Sequence, residues 1–298
     1  MGSNAAAPAH NRNQTSQILQ VYNHFFLIDC GEGTQMLLKK HKVKLSKIQC
    51  IFISHLHGDH YYGLIGLIST MHLYGRTESL KLYGPPGLGE IISIQLKHSN
   101  TSLNFDIDLK EWTPGVSEIL YENNKIYIET FPMDHRIACS GFLFKEKPLK
   151  KKILKEKLPT DILPSQIAQL KKGNDVINGS GKVLYKCDDY TAEPRKSLSY
   201  AYCSDTKYTE DILSSIREVD LLYHEATFLE DMANRADLTF HSTASQAAKI
   251  ARKAKVGKLI LGHFSTRYRD LDPVLDEARK VFKESYLGVE GEDFILIE

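Results

Sequence analysis

Cysteine is scarce and irregularly placed. The five cysteines, Cys30, Cys50, Cys139, Cys187 and Cys203, are odd in number and never fall in CxxC spacing. That excludes a cysteine-based zinc ribbon and argues against a disulfide framework, so reduced thiols and a cytoplasmic location are expected. No apolar run reaches the roughly 18 residues of a membrane span, so no membrane association is expected. Residues 1–20 are polar and lack the apolar stretch of a secretory signal, and none is expected. An excess of either charge is missing too: 38 basic against 37 acidic residues leave a net +1, so any basic surface must be local. No internal repeat is strong enough to use. What is present is 42% hydrophobic content over 298 residues, enough for one large domain or two small ones.

The densest chemistry lies in Ser54-His55-Leu56-His57-Gly58-Asp59-His60. It follows the β-branched run 48–53, read as a buried strand, and precedes an apolar run at 61–74, read as a buried helix. In open α/β sheets ligands bind at the carboxyl ends of strands. His55 and His57, two apart on extended chain, can reach one ion; Asp59 and His60, where the chain turns, can reach a second. Imidazole with carboxylate suits zinc, and also manganese or iron. Two such ions about 3.5–4 Å apart can clamp a phosphodiester and supply hydroxide near neutral pH. Ordinary loop histidines are the competing reading, and four ligand-type residues in six positions are too dense for it.

The remaining chain reads as follows. Residues 8–13, PAHNRN, form a polar loop. Strands at 17–22 and 24–28 make a hairpin, and a helix covers 34–41. Asp29, at a strand end before a glycine turn, is either a turn carboxylate or a group that holds a metal-bound histidine. A strand at 80–83 and a helix at 88–98 precede three antiparallel strands at 103–109, 116–122 and 125–131. His135 stands just past the last of these, and a strand follows at 141–144. Residues 145–157, KEKPLKKKILKEK, then carry seven lysines against two glutamates. They open an insert, 145–195, with a short helix at 164–172. A solvated lysine loop is the plain reading; an anion-binding arm is the functional one. A strand at 199–203 ends near Asp205, a helix is expected at 209–218, and a strand at 220–223 leads to His224-Glu225. A loop at 237–240 leads to His241-Ser242-Thr243, where Ser242 or Thr243 caps a helix running to Ala254. A strand at 258–261 ends before His263. A helix at 273–283, with proline near its first turn, and a strand at 294–297 close the chain.

Ligand candidates therefore stand at four strand ends: His55, His57, Asp59 and His60; His135; Asp205; and His263. On these residues the chain resembles ribonuclease Z (tRNase Z), a branch of the metallo-β-lactamase superfamily. HxHxDH appears at 55–60, SDT around Asp205 and GHFS around His263. HEATF at 224–228, HST at 241–243 and IDCGEGTQ at 28–35 narrow the likeness to that branch. It implies an α/β fold, an αββα sandwich of two mixed sheets flanked by helices, as one domain over 1–298 with the basic arm inserted. It implies two Zn²⁺ per subunit, with Mn²⁺ as an option: His55, His57 and His135 on one, Asp59, His60 and His263 on the other, and Asp205 bridging. It assigns proton acceptance to Asp59, and protonation of the leaving 3′-oxygen to His241 with Glu225; without the likeness, those two read as a structural pair. It implies removal of the 3′ trailer from precursor tRNA by a homodimer, to leave a 3′-hydroxyl. Lys150, Lys151, Lys152 and Lys155 of the arm and Arg12 of the PAHNRN loop are the expected RNA contacts. The alternative is hydrolysis of small phosphodiesters or esters on the same fold; a non-catalytic RNA-binding protein is a third reading, opposed by the complete ligand set.

Three features depart from the family pattern. The insert lacks a Gly-Pro-rich tip. His10 stands where a lysine is usual in a loop that resembles the segment sensing a terminal CCA, which would weaken discrimination at neutral pH. The sequence also begins where the family has a preceding strand: either the start is misassigned or trimmed, or the fold tolerates losing one strand, with stability then expected to suffer.

Overall fold

β-branched and aromatic runs bounded by glycine turns become strands here, and their pairing builds two large sheets and two two-stranded ribbons. The computed structural model describes residues 1–296. It divides into two compact units, one of Met1–Glu122, Ile128–Phe144 and the chain from Ser199, the other of Asn123–Tyr127 and Lys145–Leu198.

In the first unit β1 (Gln17–Val21) and β2 (His24–Ile28) form an antiparallel hairpin. α1 (Thr34–Lys40) follows, then β3 (Ile48–Phe52), α2 (Gly58–Tyr61), α3 (Leu64–Leu73), β4 (Leu80–Gly84), α4 (Leu88–His98) and β5 (Ile107–Glu111). The five-stranded sheet has the order β1-β2-β3-β4-β5, with β2 to β5 parallel. The expectation that 103–109 pairs antiparallel with the strands after it is corrected: β5 lies parallel to β4 and completes this sheet. The helix α4 makes the crossover that parallel pairing requires.

β6 (Ile119–Glu122), β7 (Ile126–Pro132) and β8 (Ser140–Glu146) begin the second sheet. The chain then forms the second unit. Its β9 (Lys152–Ile153) pairs with β12 (Thr191–Ala192), and β10 (Val176–Ile177) pairs with β11 (Val183–Tyr185). Its helices are α5 (Pro164–Lys171) and α6 (Cys187–Tyr190). Leu170, Val176 and Cys187 form its small core, and Arg195 grips the buried Glu146 with two hydrogen bonds of 2.6 and 2.8 Å.

The chain returns as β13 (Ser199–Cys203), β14 (Leu221–Glu225), α7 (Ala233–Thr239), α8 (Ala244–Ala254), β15 (Lys258–Gly262), α9 (Asp272–Arg279) and β16 (Ser285–Leu287). The second sheet runs β16-β15-β14-β13-β8-β7-β6, with β13 to β16 parallel. The sheets meet through aromatic rings. Phe52 lies 5.5 Å from both Phe142 and Phe144, and Phe26 lies 5.9 Å from Phe144 and 5.7 Å from Tyr121. Burying each such ring contributes about 1.5–3 kcal/mol. On the outer faces, α1, α3 and α4 cover the first sheet with Leu38, Leu67, Ile68 and Ile92. The buried alanines of α8 and Val274 of α9 cover the second. This is the expected αββα sandwich.

Other local expectations change. Residues 209–218 are not a helix but a 3₁₀ turn, Asp211–Leu213, and further turns. Their bonds reach back three residues, as from Leu213 to Glu210 and Ser215 to Ile212, to bury Ile212 and Ile216 within a short connection. The expected loop 237–240 is mostly the end of α7. β16 was not anticipated. Of the expected strand 294–297, residues 294–296 are not in a strand and Ile297 lies outside the described residues.

Candidate metal centre

Parallel pairing aligns the carboxyl ends of the strands. Register pairs Cys203 with His224, and Glu225 with Gly262, so Asp205, Glu225 and His263 emerge side by side from β13, β14 and β15. From the first sheet, β3 delivers His55, His57, Asp59 and His60, with His60 on the short helix α2. His135 follows β7. All seven expected ligands converge.

They fall into two groups. His57 Nδ1 lies 3.0 Å from His55 Nε2 and 3.1 Å from His135 Nε2, and Asp205 Oδ2 lies 3.6 Å from His55 Nε2. His263 Nε2 lies 3.3 Å from both His60 Nε2 and Asp59 Oδ2. Asp205 Oδ1 is 3.3 Å from His60 Nε2 and from His263 Nε2, so its two oxygens face the two groups.

The outer nitrogens explain the inward aim. Ser54 Oγ gives its own proton to Asp29 and accepts from His55 Nδ1 at 3.0 Å. His60 Nδ1 donates to Asp29 Oδ2 at 2.7 Å and His135 Nδ1 to the Phe240 carbonyl at 3.0 Å. His263 Nδ1 donates to Thr227 Oγ1 at 2.9 Å, and that hydroxyl donates to Glu225 Oε2 at 2.6 Å. Each Nδ1 bond fixes the tautomer that leaves Nε2 facing the centre. Asp29 is therefore the holding group, not a plain turn carboxylate: fully buried in a left-handed conformation, it also accepts from Ser54 N and Tyr202 Oη. Sequence reading missed the roles of Thr227 and Ser54. Ser54 stands one residue before His55, and Thr227 two residues after Glu225; that was the available signal.

These residues fit a cation. Asp205 Oδ1 is buried and has no hydrogen-bond partner among the described residues, although two imidazole nitrogens face it. Burial, with neighbouring imidazoles, pushes His55 well down and His57 to about 4, and burial also lowers His135, so these rings stand neutral with nitrogens exposed to the centre. A neutral imidazole is the state that binds metal. Burial acts against the charge of Asp59 and Asp205, but facing imidazoles hold both carboxyls below the usual range. Burial likewise opposes a charged His60, but the surrounding carboxylates Asp205, Asp59 and Asp29 outweigh it and raise its pKa. The pocket thus favours positive charge at its centre.

Beside the ligands, His241 Nδ1 donates to Glu225 Oε1 at 2.8 Å. Glu225 has all its capacity taken, by Thr206 N, Thr227 N, Thr227 Oγ1 and His241, which sets it apart from the ligand carboxylates. Burial lowers the His241 pKa, but the charge and hydrogen bond of Glu225 outweigh that and lift it to about 9. His241 sits where α7 ends and α8 begins. Its amide bonds the Ala236 carbonyl, and Thr243, the residue that caps α8, accepts from Gln246 N. A cavity of about 480 Å³ opens onto His57, Asp59, Asp205, His241 and His263.

The expected RNA contacts are placed differently from one another. The Arg12 guanidinium donates to Asn4 Oδ1 and to the carbonyls of Tyr268 and Arg269. His10 Nε2 lies 2.9 Å from the Thr266 carbonyl. In the second unit Lys150, Lys152 and Lys155 are exposed, whereas Lys151 pairs with Asp188 at 2.8 Å and Glu193 at 2.9 Å.

Comparison with known proteins agrees with this geometry. A family model described as Anti-Pycsar protein Apyc1 matches residues 1–149. The chain is 50% identical to ribonuclease Z of Cytophaga hutchinsonii over 294 residues, which is 99% of this chain and 94% of the relative. It is 40% identical to ribonuclease Z of Bacteroides fragilis over 294 residues, 98% of this chain and 96% of the relative. The crystal structure of human tRNase Z, short form, superposes with a TM-score of 0.71 at 27% identity, covering 99% of this chain and 95% of that one. The metallo-β-lactamase fold protein YhfI from Bacillus subtilis gives 0.67 at 18% identity, covering 98% and 95%.

Proposed function

The chain belongs to the ribonuclease Z family, and we infer that it is an endoribonuclease that removes the 3′ trailer from precursor tRNA, leaving a 3′-hydroxyl. The observation that carries this reading is His241, held 2.8 Å from buried Glu225 on the rim of the seven-ligand centre. Cleavage that frees a 3′-oxygen needs an acid for that oxygen, and a small activated ester does not.

His55, His57 and His135 would hold one divalent cation, Asp59, His60 and His263 another, and Asp205 would touch both. Nitrogen and carboxylate donors suit Zn²⁺, or Mn²⁺. Bound cations would neutralise charge growing on the phosphoryl oxygens and acidify a water. The protein's own groups do the rest. Asp59, kept ionised, accepts the proton of the attacking water. The His241 imidazolium keeps Nδ1–H on Glu225 and gives its Nε2 proton to the departing 3′-oxygen, ending as neutral imidazole. The Apyc1 match covers His55 to His135 but none of Asp205, Glu225, His241 and His263, so it bears on only part of the ligand set.

The lysines of the second unit are the proposed grip on the tRNA body, through Lys150, Lys152 and Lys155, with affinity that falls as salt rises. Lys151 and Arg12 are already engaged and serve structure first. A homodimer is supported by Met36, Tyr62, Leu73 and Tyr74, large side chains left exposed around α1 and α3, which are joined by a Gln35–Thr70 hydrogen bond of 2.6 Å. Five free, buried cysteines support a reducing cytoplasmic compartment. Among the described residues no helix is long and apolar enough to cross a membrane.

The test is cleavage of a precursor tRNA beside a small phosphodiester, by the full chain and by a chain lacking residues 150–157. The full chain should cut the precursor just after the discriminator base. The deletion should lose precursor cleavage and keep small-ester turnover. Metal-loaded full chain that turns over the small ester and leaves the precursor intact contradicts the reading.

A further inference from the structure

The segment before β1 is more than an entry to the fold. Gln14 is buried, its Nε2 donates to the Ala6 carbonyl at 2.7 Å, and its Oε1 accepts from Glu32 N at 2.9 Å. Ala6 is held at φ 56°, in the left-handed region, a strained conformation for an alanine that persists only when its surroundings dictate it. That conformation aims the Ala6 amide at Asp59 Oδ2, 2.8 Å away. The neighbours of Ala6 pair with the residue after another ligand: Ala5 N donates to the Phe264 carbonyl and Phe264 N to the Ser3 carbonyl, both at 2.9 Å. Gly31 makes this fit possible. A Cβ there would meet the Asp59 carbonyl at 2.4 Å and Gln14 Cβ at 2.7 Å.

Two of the three ligands in one group, Asp59 and His263, are thus braced by residues 3–6. The other group takes its bracing from Ser54 and the Phe240 carbonyl. A carboxylate oxygen has two lone pairs. Asp59 Oδ2 can accept from the Ala6 amide and still face the centre.

We propose that Gln14 is a positioning residue for the metal centre: through the Ala6 amide it fixes the Asp59 carboxylate, so that the Asp59, His60 and His263 group holds its cation selectively more loosely when Gln14 is changed. This rests on the reading above that those three residues hold a cation. Loss of a partner that orients a metal ligand typically costs about 10–100-fold in metal affinity.

The test uses the full chain, stripped with chelator and titrated with Co²⁺ against a competing chelator, for wild type, Gln14→Leu and Gln14→Glu. Ionised glutamate keeps the volume and the acceptor for Glu32 N but cannot donate to Ala6, so the titration is run at a pH where that carboxyl is ionised. Wild type should take two ions. Both variants should bind one as wild type does and the other about tenfold more weakly, with each variant still unfolding cooperatively in the absence of metal. In cleavage, kcat should fall with KM held. Restoration of wild-type affinity by glutamate would show that only the filled space matters and overturns the proposal, as does an equal weakening of both ions. If Gln14→Leu does not fold, Gln14→Glu decides alone. If wild type takes no ion, the functional reading itself fails; if wild type takes two and the variants match it, only this inference fails.

Discussion

At the scale of single residues, His241 is the sharpest case of environment setting chemistry. A buried imidazole loses charge; one beside a buried, fully bonded carboxylate keeps it, and here the carboxylate wins, with the value near 9. The acid form is therefore present at neutral pH and is lost as pH rises through that value, which bound cations would shift downward. Precursor cleavage should fall on the alkaline side with kcat/KM following this titration. His241→Ala should lower kcat about 10²–10⁴-fold, abolish that alkaline limb, and leave metal uptake intact. An unchanged pH profile in His241→Ala contradicts the assignment. The ligand candidates were legible from residues alone, because His55, His57, Asp59, His60, His135, Asp205 and His263 all follow runs read as strands, whereas Glu225 and His241 read as a structural pair until the family likeness was added. The bracing was legible only in part: Asp29 was one of two readings, and Ser54 and Thr227 act through hydroxyl bonds to Asp29, Glu225 and His263 that their place in the chain does not specify.

At the scale of elements, the junction from α7 to α8 places His241, the proposed acid. Thr243 closes a reciprocal cap with Gln246, at 3.1 and 2.9 Å, and its hydroxyl donates to Glu230 at 2.6 Å. Thr243→Ala should therefore cost about 1 kcal/mol, read as a lower melting temperature, with cleavage falling further than stability because His241 stands two residues earlier. A melting temperature equal to wild type would contradict the cap's role. The cap was legible in sequence as either Ser242 or Thr243, and the structure assigns it to Thr243 with Gln246 three positions on. α7 was not, because only Ala236 of its seven residues is buried and no apolar stripe marks it. β5 was read with the wrong partners for a related reason. Alternation shows that a segment is a strand, and says nothing about whether it pairs with β4 before it or β6 after it.

At the scale of the whole molecule, a net charge of +1 conceals an uneven distribution. Lysines are concentrated in the second unit, and the centre in the first collects carboxylates and imidazoles from both sheets. The sandwich brings the carboxylates and imidazoles together because each sheet presents the carboxyl ends of parallel strands. Asp205 carries that logic furthest, with one oxygen toward each ligand group. Metal content by native mass spectrometry, on protein purified without chelator, tests the idea most directly: two divalent ions per chain are expected for wild type and at most one for Asp205→Asn. A wild-type chain holding fewer than two ions, or an Asp205→Asn chain still holding both, would contradict it.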